Sequence, residues 1–319
     1  MTTGRQLRAA CALLLAALGR AVDGVASPVI GVFAQPASLL AGEPQYLAAS
    51  YVKFVEMAGG RVVPISYYAS NASALALFAQ LNGVLLPGGS AGLPDAARAA
   101  VAYSEAAFER GETFPVWGTC LGFEWLMEAV GGPTVVTDGF DASNVSLPLA
   151  LTPAATTSQL YGGAAKAALR ASLASEALAL NNHHKGVAPD DFARSPALVK
   201  TFDVLSTNVD ANGKAFVSSA EAKRGNLFAV QWHPEKNAFE LGEQANGLPF
   251  EAINHGADAV AATAALAATL VAKARESTQS FPDRAAHLIY RCATSPVFYP
   301  AFQETYLFPR NWTGASPAC

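Results

Sequence analysis

The chain has 319 residues, of which 51% are hydrophobic and 14% charged, with a formal net charge of −4. That is enough apolar material for a large buried core, arranged as one big α/β domain or two smaller ones. Low charge content and the lack of a Lys/Arg cluster exclude long disordered stretches and a nucleic-acid partner. An acidic substrate stays compatible, because charge at a pocket matters more than the total.

The N-terminus reads as a secretory signal. Arg5 and Arg8 precede the apolar run AACALLLAAL (9–18), and GVAS (24–27) offers small residues for cleavage. The run is shorter than the roughly 20 apolar residues a membrane helix needs, so no stable membrane span is expected. The reading is a signal over 1–26 and a single domain over 27–319, bound for the extracellular space or a vacuole or lysosome. Sequons at Asn71, Asn144 and Asn311 agree with that route as glycosylation sites.

The mature chain opens with PVIGVFAQP (28–36), a buried strand ended by Pro36. YLAASYVKFVEMAGG (46–60) has helical apolar spacing and a Gly-Gly stop, and RVVPIS (61–66) follows as a strand. ASALALFAQL (72–81) is a helix, GVLLPGGS (83–90) a strand entering a glycine turn, DAARAAVAYSEAAFERG (95–111) a helix and FPVWG (114–118) a strand. Alternation of this kind predicts a mostly parallel central sheet with helices on both faces, its ligands gathered at the carboxyl ends of the strands. Residues 137–163 read as an extended segment with loops, 200–235 as hairpins punctuated by DANG and KRGN, and 256–277 as a long Ala-rich helix. The aromatic-rich stretch after it is expected to pack against the body.

Of the four cysteines, Cys11 leaves with the signal, and Cys292 and Cys319 form the economical pair for a tail-closing disulfide. Cys120 is then an odd thiol, open to being packing or a nucleophile. Its setting, Gly118-Thr119-Cys120-Leu121-Gly122, is a G-x-C-x-G strand-to-helix turn that lifts a reactive atom out of a sheet. A helix N-terminus favours the thiolate. A thiolate needs a base and the base an orienting group. FAVQWHPEK (228–236) supplies His233 and Glu235, two residues apart on one side of an extended segment stiffened by Pro234. Gly88 and Gly89 in the earlier turn, with the N–H of Leu121, are candidate donors to a tetrahedral oxyanion.

The order PGG, GTCLGF, NNHHK, QWHPEK resembles the class I glutamine amidotransferase-like fold, and within it the γ-glutamyl (folylpolyglutamate) hydrolases. The similarity runs over about residues 28–305 and is tightest in YLAASYVKFVEMAGGRVVPI, VWGTCLGFEWL and VQWHPEKNAFE. It implies Cys120 as nucleophile, His233 as acid and base, and Glu235 as its partner. It places Glu124 and His184 in the substrate cleft with Gly88, His183 being the second choice in NNHHKG (181–186). It further implies hydrolysis of poly-γ-glutamylated folate, a small-molecule substrate, through a γ-glutamyl thioester, with no metal or organic cofactor, in a chain that dimerises with its own copy. Gly186 and Val187 depart from the family pattern. A glutamine amidotransferase subunit shares the same elbow but would need a synthetase partner. A folate- or peptide-binding glycoprotein would need none of the three reactive side chains.

Overall fold

The computed structural model describes residues 25–37, 42, 44–296 and 302–314. The first half of the chain alternates strand and helix: β1 (Val29–Phe33), β2 (Gln35–Pro36), β3 (Gln45–Ala48), α1 (Ala49–Met57), β4 (Arg61–Ile65), α2 (Asn71–Phe78) and β5 (Gly83–Leu86). It continues with α3 (Asp95–Glu109), β6 (Val116–Thr119) and α4 (Leu121–Gly131). Next come β7 (Thr137–Leu147), β8 (Ala150–Leu151), α5 (Ala167–Ser175), β9 (Ala179–Gly186), α6 (Pro189–Arg194) and α7 (Pro196–Thr201). The last elements are β10 (Phe202–Val209), β11 (Ala215–Ala222), β12 (Leu227–Val230), α8 (Lys236–Phe239), α9 (Ala257–Arg275), α10 (Arg284–His287), β13 (Thr294–Pro296) and β14 (Glu304–Phe308).

The main sheet has the order β4-β1-β5-β6-β12-β11-β10-β8. Strands β4, β1, β5, β6 and β12 run parallel; β12, β11 and β10 pair antiparallel in succession as the predicted hairpins, and β8 adds to β10 antiparallel at the edge. β1, β5, β6 and β12 are buried along their whole length, which their apolar composition permits because helices cover both faces. β4 is an edge strand, so Pro64 within it breaks no ladder on its outer side. On one face pack α1 and α9, with Phe54, Trp117, Leu266 and Leu270. On the other lie α2, α3 and α4, with Phe78, Phe123 and Leu126.

Two smaller sheets complete the body. β7 and β9 form an antiparallel ribbon, and β13-β14-β3-β2 form a four-stranded sheet in which β14, the last strand among the described residues, pairs with β3. Here the helix expected from residue 46 is shortened. Gln45–Ala48 pair with Thr305–Phe308 as strand, and the helix starts at Ala49. A partner from the far end of the chain outweighs the helical spacing. Of the aromatic-rich tail, Phe281 is buried and Tyr306 packs against the core as expected, Tyr290 is exposed, and Phe298 and Tyr299 lie outside the described residues.

Helix α9 is long and apolar enough to cross a membrane by length and composition. In this fold Ala262, Leu266, Leu270 and Ala274 are buried against the body. Cys292 is disulfide-bonded and Cys120 is free. Cys11, Cys319 and the apolar run 9–18 lie outside the described residues.

Asn82 anchors the start of the sheet. Its Oδ1 accepts the Val29 N–H at 2.8 Å, and its Nδ2 donates to Ser277 Oγ at 3.2 Å and to the Gln279 carbonyl at 2.7 Å. Removing one fully buried side chain therefore takes their partner from the Val29 N–H and the Gln279 carbonyl, while Ser277 Oγ keeps its bonds to Gln279. Asn82→Ala is expected to destabilise the fold by about 2–4 kcal/mol, read as a lower urea midpoint with unchanged slope.

Candidate active site

Cys120 sits between β6 and α4 with φ 52° and ψ −106°, a strained backbone for a non-glycine residue. Its N–H donates to the Val230 carbonyl at 2.8 Å, tying the turn to the end of β12. The flanking glycines are there because nothing larger fits. A Cβ on Gly118 would lie 2.3 Å from the Gly122 carbonyl oxygen, and one on Gly122 would lie 2.0 Å from that of Leu86. Gly122→Ala is expected to cost more than about 4 kcal/mol, seen as loss of the cooperative unfolding transition or of soluble protein.

β12 runs beside β6, and the chain leaving it brings His233 over the elbow. The His233 N–H donates to the Leu180 carbonyl at 2.9 Å, and Nδ1 lies 2.8 Å from Glu235 Oε1. Both side chains are buried. His233 and Cys120 converge on Gly88, where an added Cβ would stand 2.8 Å from His233 Cε1 and 3.5 Å from Cys120 Cβ. Burial pushes the imidazolium down, but the Glu235 carboxylate and the Cys120 sulfur outweigh it and lift His233 to about 10. With Nδ1–H held by Glu235, the imidazole has one tautomer and turns Nε2 away from that carboxylate.

Tyr51, on α1, is a member of this cluster that sequence reading missed. Its hydroxyl accepts the Gly88 N–H at 2.7 Å and lies 3.5 Å from His233 Nδ1. Burial, then the charges of Glu235 and Cys120, hold its pKa well above the ordinary tyrosine value, so it stays a hydroxyl. The Gly88 N–H is thereby taken. Gly89 and Leu121 border the cleft beside the thiol. Leu121 opens α4, where helix geometry leaves an N–H without an intrahelical partner. The one sequence signal for Tyr51 is a hydroxyl-bearing ring inside an otherwise apolar helical run.

A cleft of about 330 Å³ opens at the carboxyl ends of the strands, lined by Gly89, Cys120, Glu124, Trp125, His183 and Lys185 among others. Another cavity, of about 460 Å³, opens at the amino end of β12 between Phe108, Lys200 and Arg224. It holds none of the groups above, so volume alone does not pick the site.

Glu124 is buried at the cleft floor, where its Oε1 accepts from Gln231 Nε2 at 3.3 Å. Burial raises its pKa to about 7, against the lowering effect of Gln231 and Lys185. His183 and His184 point to opposite sides of β9. His183 is buried against Phe216, and its Nδ1–H donates to the Lys185 carbonyl at 2.7 Å. Burial lowers its pKa to about 4, so it is neutral at pH 5–8, with an Nε2 lone pair that has no hydrogen-bond partner among the described residues. His184 is exposed, 3.3 Å from Ser143 Oγ. Both border the cleft.

Because the folded pKa of Glu124 is raised, its burial is free of penalty below about pH 4.5 and destabilises the fold as pH climbs through about 7. Glu124→Gln is expected to gain about 2–3 kcal/mol of stability at pH 8 and almost nothing at pH 4. Parallel urea titrations at the two pH values measure this difference.

An α/β sheet with an elbow cysteine beside a carboxylate-held imidazole, all at the carboxyl ends of parallel strands, is the class I glutamine amidotransferase-like fold. Comparison with known sequences gives a sharper answer. Residues 28–235 match the Peptidase C26 family, and this chain belongs to it. The chain is 39% identical over 298 residues to γ-glutamyl hydrolase of Mus musculus, covering 89% of this chain and 90% of that protein. It is 37% identical over 293 residues to that of Bos taurus (88% and 89% covered) and 34% over 300 residues to that of Homo sapiens (90% and 91%).

Proposed function

We propose that this protein hydrolyses the γ-glutamyl amides of poly-γ-glutamylated folates, with Cys120 as nucleophile. The observation that carries the reading is the meeting of His233 and Cys120 over Gly88, with His233 Nδ1 held 2.8 Å from Glu235. Similarity to the γ-glutamyl hydrolases supports the bond that is cleaved.

The chemistry follows from the arrangement. The Cys120 thiolate attacks the γ-carbonyl carbon, and the tetrahedral oxyanion receives the N–H groups of Gly89 and Leu121. The intermediate collapses as His233 Nε2–H gives its proton to the departing amine, leaving a γ-glutamyl thioester. Neutral His233 then takes a proton from water, whose oxygen attacks the thioester carbon. Collapse of this second intermediate expels the thiolate and frees the acid. Glu235 holds the imidazole through both steps, and Tyr51 fixes the glycine turn beside it. No step calls for a metal or an organic cofactor.

The cleft supplies matching groups for the substrate. Lys185, on its rim, is the counter-charge for an α-carboxylate. The unpaired lone pair on His183 Nε2 suits an amide N–H, while His184 stands at the exposed edge. Glu124, neutral below about pH 7, can donate to a carboxylate there. Exposed sequon asparagines at 71, 144 and 311 support a glycoprotein of the secretory route.

Protein beginning near residue 27 is expected to shorten pteroylpolyglutamate, with products followed by mass. Cys120→Ala and His233→Ala should each lower kcat/KM by at least about 10³-fold while the fold stays intact. Glu235→Gln should fall less, because the amide still holds the ring. Folded wild type that leaves the substrate uncut from acid to neutral pH would overturn the reading.

A further inference from the structure

We infer that Glu251 is a positioning residue for catalysis, clasping the turn that carries His233 and Glu235 to the cleft strand β9. The inference rests on the hydrolase reading above and adds to it a residue outside the reacting triad. Lys236 directly follows Glu235, and its side chain is only 3% exposed. Its Nζ lies 2.5 Å from Glu251 Oε2, itself on a 4% exposed side chain. The other oxygen, Oε1, accepts from Asn182 Nδ2 at 2.8 Å, and Asn182 borders the cleft next to His183. The centroid of the Phe302 ring lies 5.1 Å from Nζ.

Glu251 belongs to the segment between α8 and α9, and that segment is fixed at the adjoining residue. The Ala252 N–H donates to Asn144 Oδ1 at 2.6 Å, and the Ala252 carbonyl accepts from Ser146 Oγ at 2.7 Å. Both partners are on β7, the strand paired with β9. Two adjacent residues therefore join three pieces of the site: the catalytic turn, β9 and β7. A buried ion pair contributes little to stability compared with an apolar pair of the same volume. Here each carboxylate oxygen instead meets a separate element, which is the geometry of a spacer that fixes their separation.

Charge gives the clasp a second effect. His233 is faced by Glu235, Cys120 and Tyr51, by His183 from β9, and by Lys236, whose charge lowers its proton affinity. Glu240, also near Lys236 and Glu235, is bonded to the Gln303 N–H and Ser50. Glu251 is the carboxylate in contact with the Lys236 ammonium, so removing its charge leaves a buried cation one residue from Glu235.

The test compares wild type, Glu251→Gln and the double variant Lys236→Met/Glu251→Met. Readouts are kcat and KM on pteroylpolyglutamate, and the pH dependence of Cys120 alkylation by iodoacetamide, which needs no substrate and so survives failure of the substrate assignment. In Glu251→Gln, kcat should fall at least about tenfold with KM little changed. The alkaline limb of the alkylation profile should move down by about half a pH unit or more. The double variant should keep the low kcat and regain the wild-type limb, because no uncompensated charge remains. A folded Glu251→Gln with wild-type kcat, or with its limb unmoved, overturns the inference. If that variant does not fold, the double variant decides: low kcat upholds the clasp and near-wild-type kcat overturns it.

Discussion

The site depends on one close approach, that of the first turn of α4 to the backbone of β5 and β6. Gly122 lies against the Leu86 carbonyl and Gly118 against Gly122, so helix and strands meet with no side chain between them. Only in that geometry does the chain reverse within a single residue and hold Cys120 at positive φ above the sheet. Strain of this kind costs on the order of 1–3 kcal/mol and persists because neighbouring backbone leaves no alternative. The parallel pairing of Val230 with Thr119 then sets the second half of the site. Cys120 is one residue past that pair and His233 three residues past it, so register alone brings thiol and imidazole to the same edge.

Around the thiol the charges are arranged as a buried line: Cys120, His233, Glu235, and then Lys236 paired with Glu251. Each carboxylate has a cation or a potential cation against it, which is how so many ionisable groups are tolerated at a few per cent exposure. Glu124 departs from the pattern. Its bonded neighbour is an amide, and burial without a contacting cation pushes its proton affinity up to about 7. The cleft thus has one wall tuned for permanent charge and a floor whose charge depends on the surroundings.

Much of this was legible in the sequence, for physical reasons. Buried parallel strands announce themselves as short apolar runs, and an elbow needs small residues at fixed offsets from its nucleophile, so VWGTCLGF gave both strand and turn. His233 and Glu235 share one short segment, which spacing can report. Tyr51 and Glu251 could not be read this way, because each reaches the site from a distant element whose local pattern is ordinary. Tyr51 looks like one more core aromatic of α1, and Glu251 like a loop carboxylate. The early start assigned to α1 failed for the same cause, since β3 owes its extended form to β14. The buried and exposed sides of β9 also depend on its pairing with β7, which is why NNHHK alone did not separate His183 from His184. The disulfide partner of Cys292 and the apolar run read as a signal lie outside the described residues.

The pairing of β3 with β14 has a bearing on how the molecule is made. Gln45 Nε2 donates to the Trp312 carbonyl at 2.8 Å, and Ser66 Oγ donates to the same oxygen at 2.6 Å. These contacts join residues 267 and 246 positions apart, and β3 runs directly into α1, which carries Tyr51. During synthesis the main sheet can assemble as its strands emerge, but the strip that braces α1 must wait until β14 and Trp312 have been made. The nascent enzyme would then hold its thiol and imidazole in place while the helix behind them is still loosely held. Completion of the site would then follow the pairing of β14 with β3.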